Sequence, residues 1–148
     1  MVVYDIFYKV LKILENNHII LLYDNVFPIN ENGKFVRVHG IKFIILKEAL
    51  DDRVEVVLTL LHECSHALNN DDIYAISILQ KQHAEYVANC YKISKYIRIC
   101  AHEYGVPTPN IPALMKYLHI CESCYYDIIS QEVLKYYNSD GTPKPEFE

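Results

Sequence analysis

The chain begins with a segment in which apolar residues recur at helical spacing. Between residues 3 and 14 they repeat every three or four positions, at Val3, Ile6, Phe7, Val10, Leu11 and Leu14. Such spacing places side chains on one face of an α-helix. Asn16 and Asn17 end the pattern, so we expect an amphipathic N-terminal helix that packs on a core.

Short β-prone runs follow this helix. They occupy residues 18–23, 35–38 and 41–46, and Asn32-Gly33 between the first two is a hairpin signal. We therefore expect a small antiparallel sheet of two or three strands over residues 18–47. The last two runs are joined either by a hairpin or through a bulge, and the pattern fits both.

A long stretch without helix breakers predicts two helices. Neither glycine nor proline occurs in residues 41–104. We expect one helix over residues 52–69, capped by Asp52 or its neighbour Asp51, and a second helix over residues 72–104. The second helix carries an apolar stripe formed by Ile76, Leu79, His83, Val87, Cys90, Ser94 and Ile97.

The C-terminal part is expected to add further helices. Residues 113–137 indicate one or two of them after a proline-rich linker, and residues 138–148 read as a disordered tail. A length of 148 residues fits a single domain, which we expect to span residues 1–137. The predicted fold class is α+β, with the small sheet packed on a mostly helical domain.

Composition excludes several classes of protein. A net charge of −5 argues against broad binding to nucleic acid or to an anionic membrane. The first residues lack the pattern of a signal peptide, and no apolar run near the start is long enough to cross a bilayer. Five cysteines without a framework spacing fit reduced thiols, so we expect a cytoplasmic protein.

The segment His62-Glu63-Cys64-Ser65-His66 carries the clearest chemistry. Residues four apart lie on the same helix face, so His62 and His66 can present two imidazoles to one ion. Glu63 lies about 100° further round the helix, where it can act as a base on water without competing as a ligand. This arrangement is typical of a catalytic Zn²⁺ site, and Glu63 is the candidate catalytic residue.

A catalytic zinc needs a third protein ligand. The downstream candidates are Asp71, Asp72, His83 and Glu85. The two aspartates follow the helix end too closely and suit a capping role better. Glu85 lies in the next helix after enough chain to turn back, and we choose it; His83 remains the alternative.

The segment from Glu85 to Tyr91, EYVANCY, resembles the E-x-x-A-N-x-[FY] signature that follows H-E-x-x-H in the ImmA/IrrE family of metallopeptidases. The resemblance spans residues 1–137 in the order of the elements, and it implies a zincin-like fold with Glu85 as the third zinc ligand. It also implies that Glu63 assists peptide-bond hydrolysis. Members from phages and mobile elements cleave helix-turn-helix repressors, so the implied partner is such a transcriptional repressor.

Other interpretations stay open beside the protease. Lys92, Cys64 and Ser65 stand where the family usually has other residues, which leaves room for a zinc-binding, partner-binding domain without efficient catalysis. The C-terminal helices as a DNA-binding or anti-repressor module are a further alternative, which their acidic composition disfavours. The strand over residues 41–46 is either an edge that receives an extended substrate or a strand of the core, and both interpretations stay open.

A second metal site is a weaker hypothesis. Cys121-x-x-Cys124 has ligand spacing, and Cys100 and His119 could complete a zinc site. Cysteines three apart on a helical pattern more often share a buried helix face, which is the interpretation we favour.

Overall fold

A computed structural model describes residues 2–25, 31–71 and 77–145 of the chain. The chain divides into two compact units, Met1–Lys92 and Ile93–Glu148. Five α-helices and a three-stranded sheet confirm the predicted α+β class with a small sheet. Within the described ranges, no helix is long and apolar enough to cross a membrane.

The first unit contains the sheet and most of the predicted chemistry. Its elements are α1 (Val2–Asn16), β1 (Ile19–Asp24), β2 (Gly33–Val38), β3 (Ile41–Lys47), α2 (Arg53–Leu68) and the N-terminal half of α3 (Ile78–Tyr104). Helix α1 buries Ile6, Val10 and Leu14, which belong to its predicted apolar face. It ends where His18 takes a positive φ of 57°, a left-handed residue that commonly terminates helices.

The sheet is mixed, so the prediction of a wholly antiparallel sheet was wrong. Strand β3 lies in the centre, parallel to β1 and antiparallel to β2. Strands β1 and β2 are not neighbours, and the predicted hairpin at Asn32-Gly33 is therefore absent. Gly33 instead begins β2, where an added Cβ would lie 2.9 Å from Cγ2 of Thr59 in α2. Glycine is needed there because the strand lies directly on the helix.

The connection between β2 and β3 is a tight hairpin. Val38 pairs with Ile41, and the two residues between them, His39 and Gly40, both have positive φ angles of 51° and 78°. This is the two-residue turn whose twist matches that of paired strands. Of the two connections that the sequence allowed, the structure has the hairpin and not the bulge.

Helix α2 forms close to its predicted range. The Asp52 carboxylate accepts hydrogen bonds from the backbone N–H groups of Val54 and Glu55, as an N-cap residue does. At the other end, Nζ of Lys42 in β3 donates to the Ala67 carbonyl over 2.7 Å. The helix is therefore tied at both ends, and ten of its sixteen residues are buried, which gives the side chains between them a fixed frame.

Helix α3 begins at Ile78, later than predicted. Ser77 and Gln80 form a capping box: Oγ of Ser77 accepts from the Gln80 N–H, and Oε1 of Gln80 accepts from the Ser77 N–H. The expected start at residue 72, and the stripe residue Ile76, fall in residues 72–76, which lie outside the described residues. Since the capping box satisfies the orphan N–H groups at the start of α3, the helix needs no cap from the preceding aspartates.

The N-terminal half of the predicted α3 stripe was assigned to the wrong face. Leu79 is 78% exposed and His83 is also exposed, whereas Ala84 and Ala88 are buried. Leu79 and His83 line an open cavity of about 600 Å³ in the first unit. Small alanines, rather than the larger stripe residues, therefore form the packed face of this half of the helix.

The second unit contains the remaining part of α3 and the C-terminal elements. These are α4 (Ile111–Tyr117), a 3-10 turn (Ser123–Tyr125) and α5 (Tyr126–Leu134). Asn110 caps α4 by accepting from the Ala113 N–H. Residues 138–145, which the sequence predicts to be disordered, form a turn. Pro143 in this turn pairs with Tyr137 in an isolated antiparallel β-bridge.

Candidate metal centre

Two imidazoles meet on one face of α2. His62 and His66 are one helical turn apart, and their Nε2 atoms lie 3.3 Å from each other. The His66 side chain is fully buried and that of His62 is 17% exposed. The helix thus fixes both rings, with one side of the pair open to solvent.

Glu85 on α3 completes the cluster. Its Oε2 lies 3.0 Å from Nε2 of His62, and its Oε1 lies 3.0 Å from Nε2 of His66. The structure therefore brings together the three residues predicted as metal ligands, each offering one atom within 4.8 Å of the others. His83, the alternative third ligand, is not part of this group, and Asp72 lies outside the described residues.

Hydrogen bonds behind the rings set the direction of their lone pairs. Nδ1 of His62 lies 2.8 Å from Oδ1 of Asn89, and Nδ1 of His66 lies 3.0 Å from Oδ2 of Asp71. Both oxygens are acceptors, so each Nδ1 carries a proton and donates it. In the neutral rings, each Nε2 then has its lone pair available towards Glu85, as a metal ligand requires.

Sequence reasoning predicted neither of these two residues to be a hydrogen-bond partner of a histidine ring. Asn89 stands in the signature segment, and its position four residues after Glu85 places it on the same helix face. That spacing was a usable signal. Asp71 was interpreted as a capping residue, and its contact with His66 depends on the path of the chain after α2, which no local pattern reveals.

The cluster needs positive charge at its centre. When both rings are neutral with Nδ1 protonated, two Nε2 lone pairs and a carboxylate converge there. A ring that is protonated at Nε2 instead donates to Glu85, and hydrogen bonds from His62 and His66 hold the pKa of Glu85 well below its usual range. Burial acts to lower the pKa of His66, but hydrogen bonds to Glu85 and Asp71 outweigh it and raise that pKa to about 8. Protons or a cation can therefore satisfy the same position.

The spacing of the donor atoms of His62, His66 and Glu85 suits a tetrahedral transition metal. Ligand atoms at 2.0–2.1 Å from a common ion and at tetrahedral angles would be about 3.3–3.4 Å apart. The two Nε2 atoms are 3.3 Å apart, and each lies 3.0 Å from a different oxygen of Glu85, which is close to that range. Two imidazoles with one carboxylate match the catalytic class of zinc sites, in which a fourth position stays open, and do not match the all-oxygen sites of calcium or magnesium.

Glu63 lies beside the cluster without belonging to it. It is 8% exposed, and burial raises its pKa to about 7, although His62 and His66 act in the opposite direction. The backbone N–H of Phe35 in β2 also donates a hydrogen bond to its carboxylate. A carboxyl group whose pKa lies near neutrality can both accept and deliver a proton at physiological pH.

Other sequence hypotheses have clear positions in the structure. Strand β3 is the central strand, with Ile44 and Leu46 buried, so of its two interpretations the core strand is confirmed and the substrate edge is wrong; β2 is the edge strand nearer to Glu63. None of the five cysteines, all within the described ranges, forms a disulfide, and both Cys121 and Cys124 are exposed rather than buried on a helix face. Among the residues that the structure describes, His62, His66 and Glu85 form the only group able to hold a metal.

Comparisons with other proteins add no assignment. None of the protein-family models, curated proteins or solved structures that were compared with the chain matches it. The resemblance to the ImmA/IrrE family thus stays a prediction that rests on the two motifs, and the function has to be argued from the geometry of the site.

Proposed function

We propose that the protein is a zinc-dependent endopeptidase whose metal ligands are His62, His66 and Glu85. The observation that carries this proposal is the convergence of His62, His66 and Glu85, each with one ligand atom within 4.8 Å of the others, with both imidazoles oriented by acceptors at Nδ1. A structural zinc site is usually closed by four protein ligands. Three ligands beside a buried acid favour a catalytic site.

The residues of the chain divide the chemistry between them. Zn²⁺ bound at this site would supply Lewis acidity, which activates a water molecule and polarises the scissile carbonyl. Glu63 accepts the proton of the attacking water at its carboxylate and then delivers it to the amine that leaves. A hydrogen bond from the Phe35 N–H acts to lower the pKa of Glu63, which favours its role as a proton acceptor.

Strand β2 offers a surface for an extended substrate. The Lys47 N–H donates a hydrogen bond to the Asn32 carbonyl oxygen over 2.8 Å, so Asn32 and Lys47 form a hydrogen-bonded pair. In the antiparallel β2–β3 ladder such pairs recur at every second residue. By that alternation Lys34, Val36 and Val38 bond to β3, whereas the main chain of Phe35 and its alternate neighbours points to the free edge. Because that edge passes Glu63, a peptide added there as a further strand would lie beside the site.

The substrate class and location are proposed from the resemblance and from the thiols. We propose a helix-turn-helix repressor of a phage or mobile element as the substrate, in agreement with the family that the two motifs resemble. Five cysteines without a disulfide fit the reducing cytoplasm as the place of action.

Cleavage in the presence of zinc tests this function. The protein is co-expressed, with zinc supplied, with each helix-turn-helix repressor encoded near its gene. Fragments of the repressor are identified by mass spectrometry. Glu63→Gln is the control: it keeps the ligand set and removes the proton acceptor, so we expect fragments from the native protein only. Bound zinc without cleavage of any repressor would contradict the proposal and favour a zinc-binding, partner-binding domain.

A further inference from the structure

Three alternate residues of β2 face the same side of the sheet, the side that lies on α2. Side chains alternate along a strand, so Gly33, Phe35 and Arg37 point to the same side. Gly33 lies against Thr59 of α2, the backbone N–H of Phe35 is directed at Glu63 one turn further along the helix, and Nη1 of Arg37 lies 3.3 Å from Oδ1 of Asn70, just beyond the end of α2. The strand therefore runs alongside the helix, past the metal ligands.

The same three residues turn their main-chain groups to the free edge. The ladder alternation leaves the N–H and C=O groups of Gly33, Phe35 and Arg37 pointing away from β3. No other strand within the described ranges pairs with this edge. Phe35 donates its N–H to Glu63, so Arg37 is the next residue along the strand whose N–H points to the edge.

Arg37 differs from its two partners in charge and exposure. Phe35 is 9% exposed, whereas Arg37 is exposed and carries the one charge on this face of the strand. Its hydrogen bond to Asn70 is to a neutral amide at the surface, which is a weak tether. A carboxylate could replace that amide with two charge-assisted hydrogen bonds to the same guanidinium.

The position of Arg37 relative to Glu63 is set by strand geometry. Residues two apart on a strand are separated by about 6.6–6.8 Å, so Arg37 lies that far along β2 from the residue that bonds to Glu63. A residue of a paired strand has its Cβ about 4.5–5.5 Å from the Cβ directly opposite. The side chain of a peptide residue opposite Arg37 is thus within reach of the guanidinium.

We propose that Arg37 is a specificity-determining residue that selects an acidic side chain in the substrate. The inference rests on the proposed peptidase function and on the free edge of β2. The selected aspartate or glutamate occupies a single position, at a constant distance from the bond that is cleaved. The recognised substrate class is therefore an extended peptide segment with an acid near the cleavage site.

The test uses a pool of synthetic peptides of random sequence and the zinc-loaded, full-length protein. Cleavage sites are read by mass spectrometry, and the frequency of each residue type is recorded at every position around the cut. We expect enrichment of aspartate and glutamate at one position by about fivefold over alanine. Arg37→Ala should abolish the enrichment, and Arg37→Glu should replace it with a preference for lysine and arginine at that same position.

A matched control comes from the opposite face of the strand. Lys34→Glu makes a similar reversal of charge on β2, but its side chain points away from α2, so its cleavage pattern should equal that of the native protein. Cleavage without an acidic preference, or with one that Arg37→Ala retains, would overturn the role of Arg37 alone. A zinc-loaded protein that cuts no peptide would overturn the peptidase function and this inference with it.

Discussion

Oδ1 of Asn89 lies 2.8 Å from Nδ1 of His62, and this contact determines which nitrogen of the ring faces Glu85. Asp71, just beyond the C-terminal end of α2, makes the equivalent contact with His66. The two residues support the ligands without belonging to the ligand group, because they fix the tautomer and the orientation of each ring. The metal site is therefore a set of five residues, three that would bind the ion and two that orient the histidines.

Removing either supporting residue should weaken metal binding without abolishing it. We expect Asn89→Ala and Asp71→Ala each to lower zinc affinity by about tenfold to a hundredfold, because the ring loses its acceptor and its fixed tautomer. Competition with a chromophoric chelator measures the affinity. Gln82→Ala, a change of similar kind at an exposed position of α3, should leave it unaltered. Equal affinities for all four proteins would show that the contacts behind the rings are irrelevant.

Zinc binding should release protons near neutral pH. The pKa of His66 in the metal-free protein is raised to about 8, so at pH 7 its imidazole carries a proton that a metal must displace. At pH 9.5 that proton is already lost, and the number released on binding should fall. Calorimetric titration in buffers of different ionisation enthalpy measures this number. Proton release that does not change between the two pH values would contradict the account.

The metal-free protein should lose part of its stability as the pH rises. A folded pKa of about 8 lies above the ordinary histidine pKa of 6.5, so the contribution of His66 is fully present below pH 6.5 and is lost as pH rises through 8. Urea unfolding at pH 6 and at pH 9 in the presence of a chelator measures the change. His66→Ala should remove this component of the pH dependence. If His66→Ala left the difference in the free energy of unfolding between pH 6 and pH 9 unchanged, this prediction would be contradicted.

The contact between Gly33 and α2 predicts a specific stability defect. A Cβ at this position would lie 2.9 Å from Cγ2 of Thr59 and 3.1 Å from the Ile45 carbonyl oxygen. We expect Gly33→Ala to destabilise the protein by about 1–3 kcal/mol, as overpacking does. Adding Thr59→Ser removes the closest methyl group, so the double variant should be more stable than additivity of the single variants predicts. Strict additivity in urea unfolding would show that the two residues do not meet.

The cysteines should differ sharply in their reaction with iodoacetamide. Cys121 and Cys124 are exposed, Cys64 is buried, and burial raises the pKa of the Cys100 thiol to about 12. Because the thiolate is the reactive species, we expect Cys121 and Cys124 to be modified first, and Cys64 and Cys100 only on unfolding. Mass spectrometry of timed samples gives the order. Protection of Cys121 and Cys124 that is lost on adding a chelator would instead support a second metal site.

The extent to which the sequence predicts the site depends on how local each contact is. His62 and His66 are related by a single helical turn, so their spacing alone predicts a shared ligand direction. Glu85 requires two helices to meet, and the choice over His83 rested on a family motif as well as on chain length. Asp71 was missed because its role depends on the path of the chain after α2, which has no sequence signature.

The sheet shows the same limit. The strands themselves follow from β-prone runs, but the parallel pairing of β1 with β3 joins segments that are not consecutive, and nothing in the runs encodes that order. Gly33 was interpreted as a turn residue because glycine next to asparagine is usually found in hairpins. Its actual role, a close approach to Thr59, depends on where α2 lies and so becomes visible only in three dimensions.

The most direct test of the account is the zinc content of the purified protein. The native protein, purified without added metal or chelator, should hold about one zinc per chain, and Glu85→Ala should lose most of it while it stays folded. Glu103→Ala, the same substitution at an exposed position of α3, should keep the native content. A native protein that retains no zinc even when zinc is supplied at neutral pH, or a Glu85→Ala variant that binds it equally well, would contradict the metal centre on which the proposed function depends.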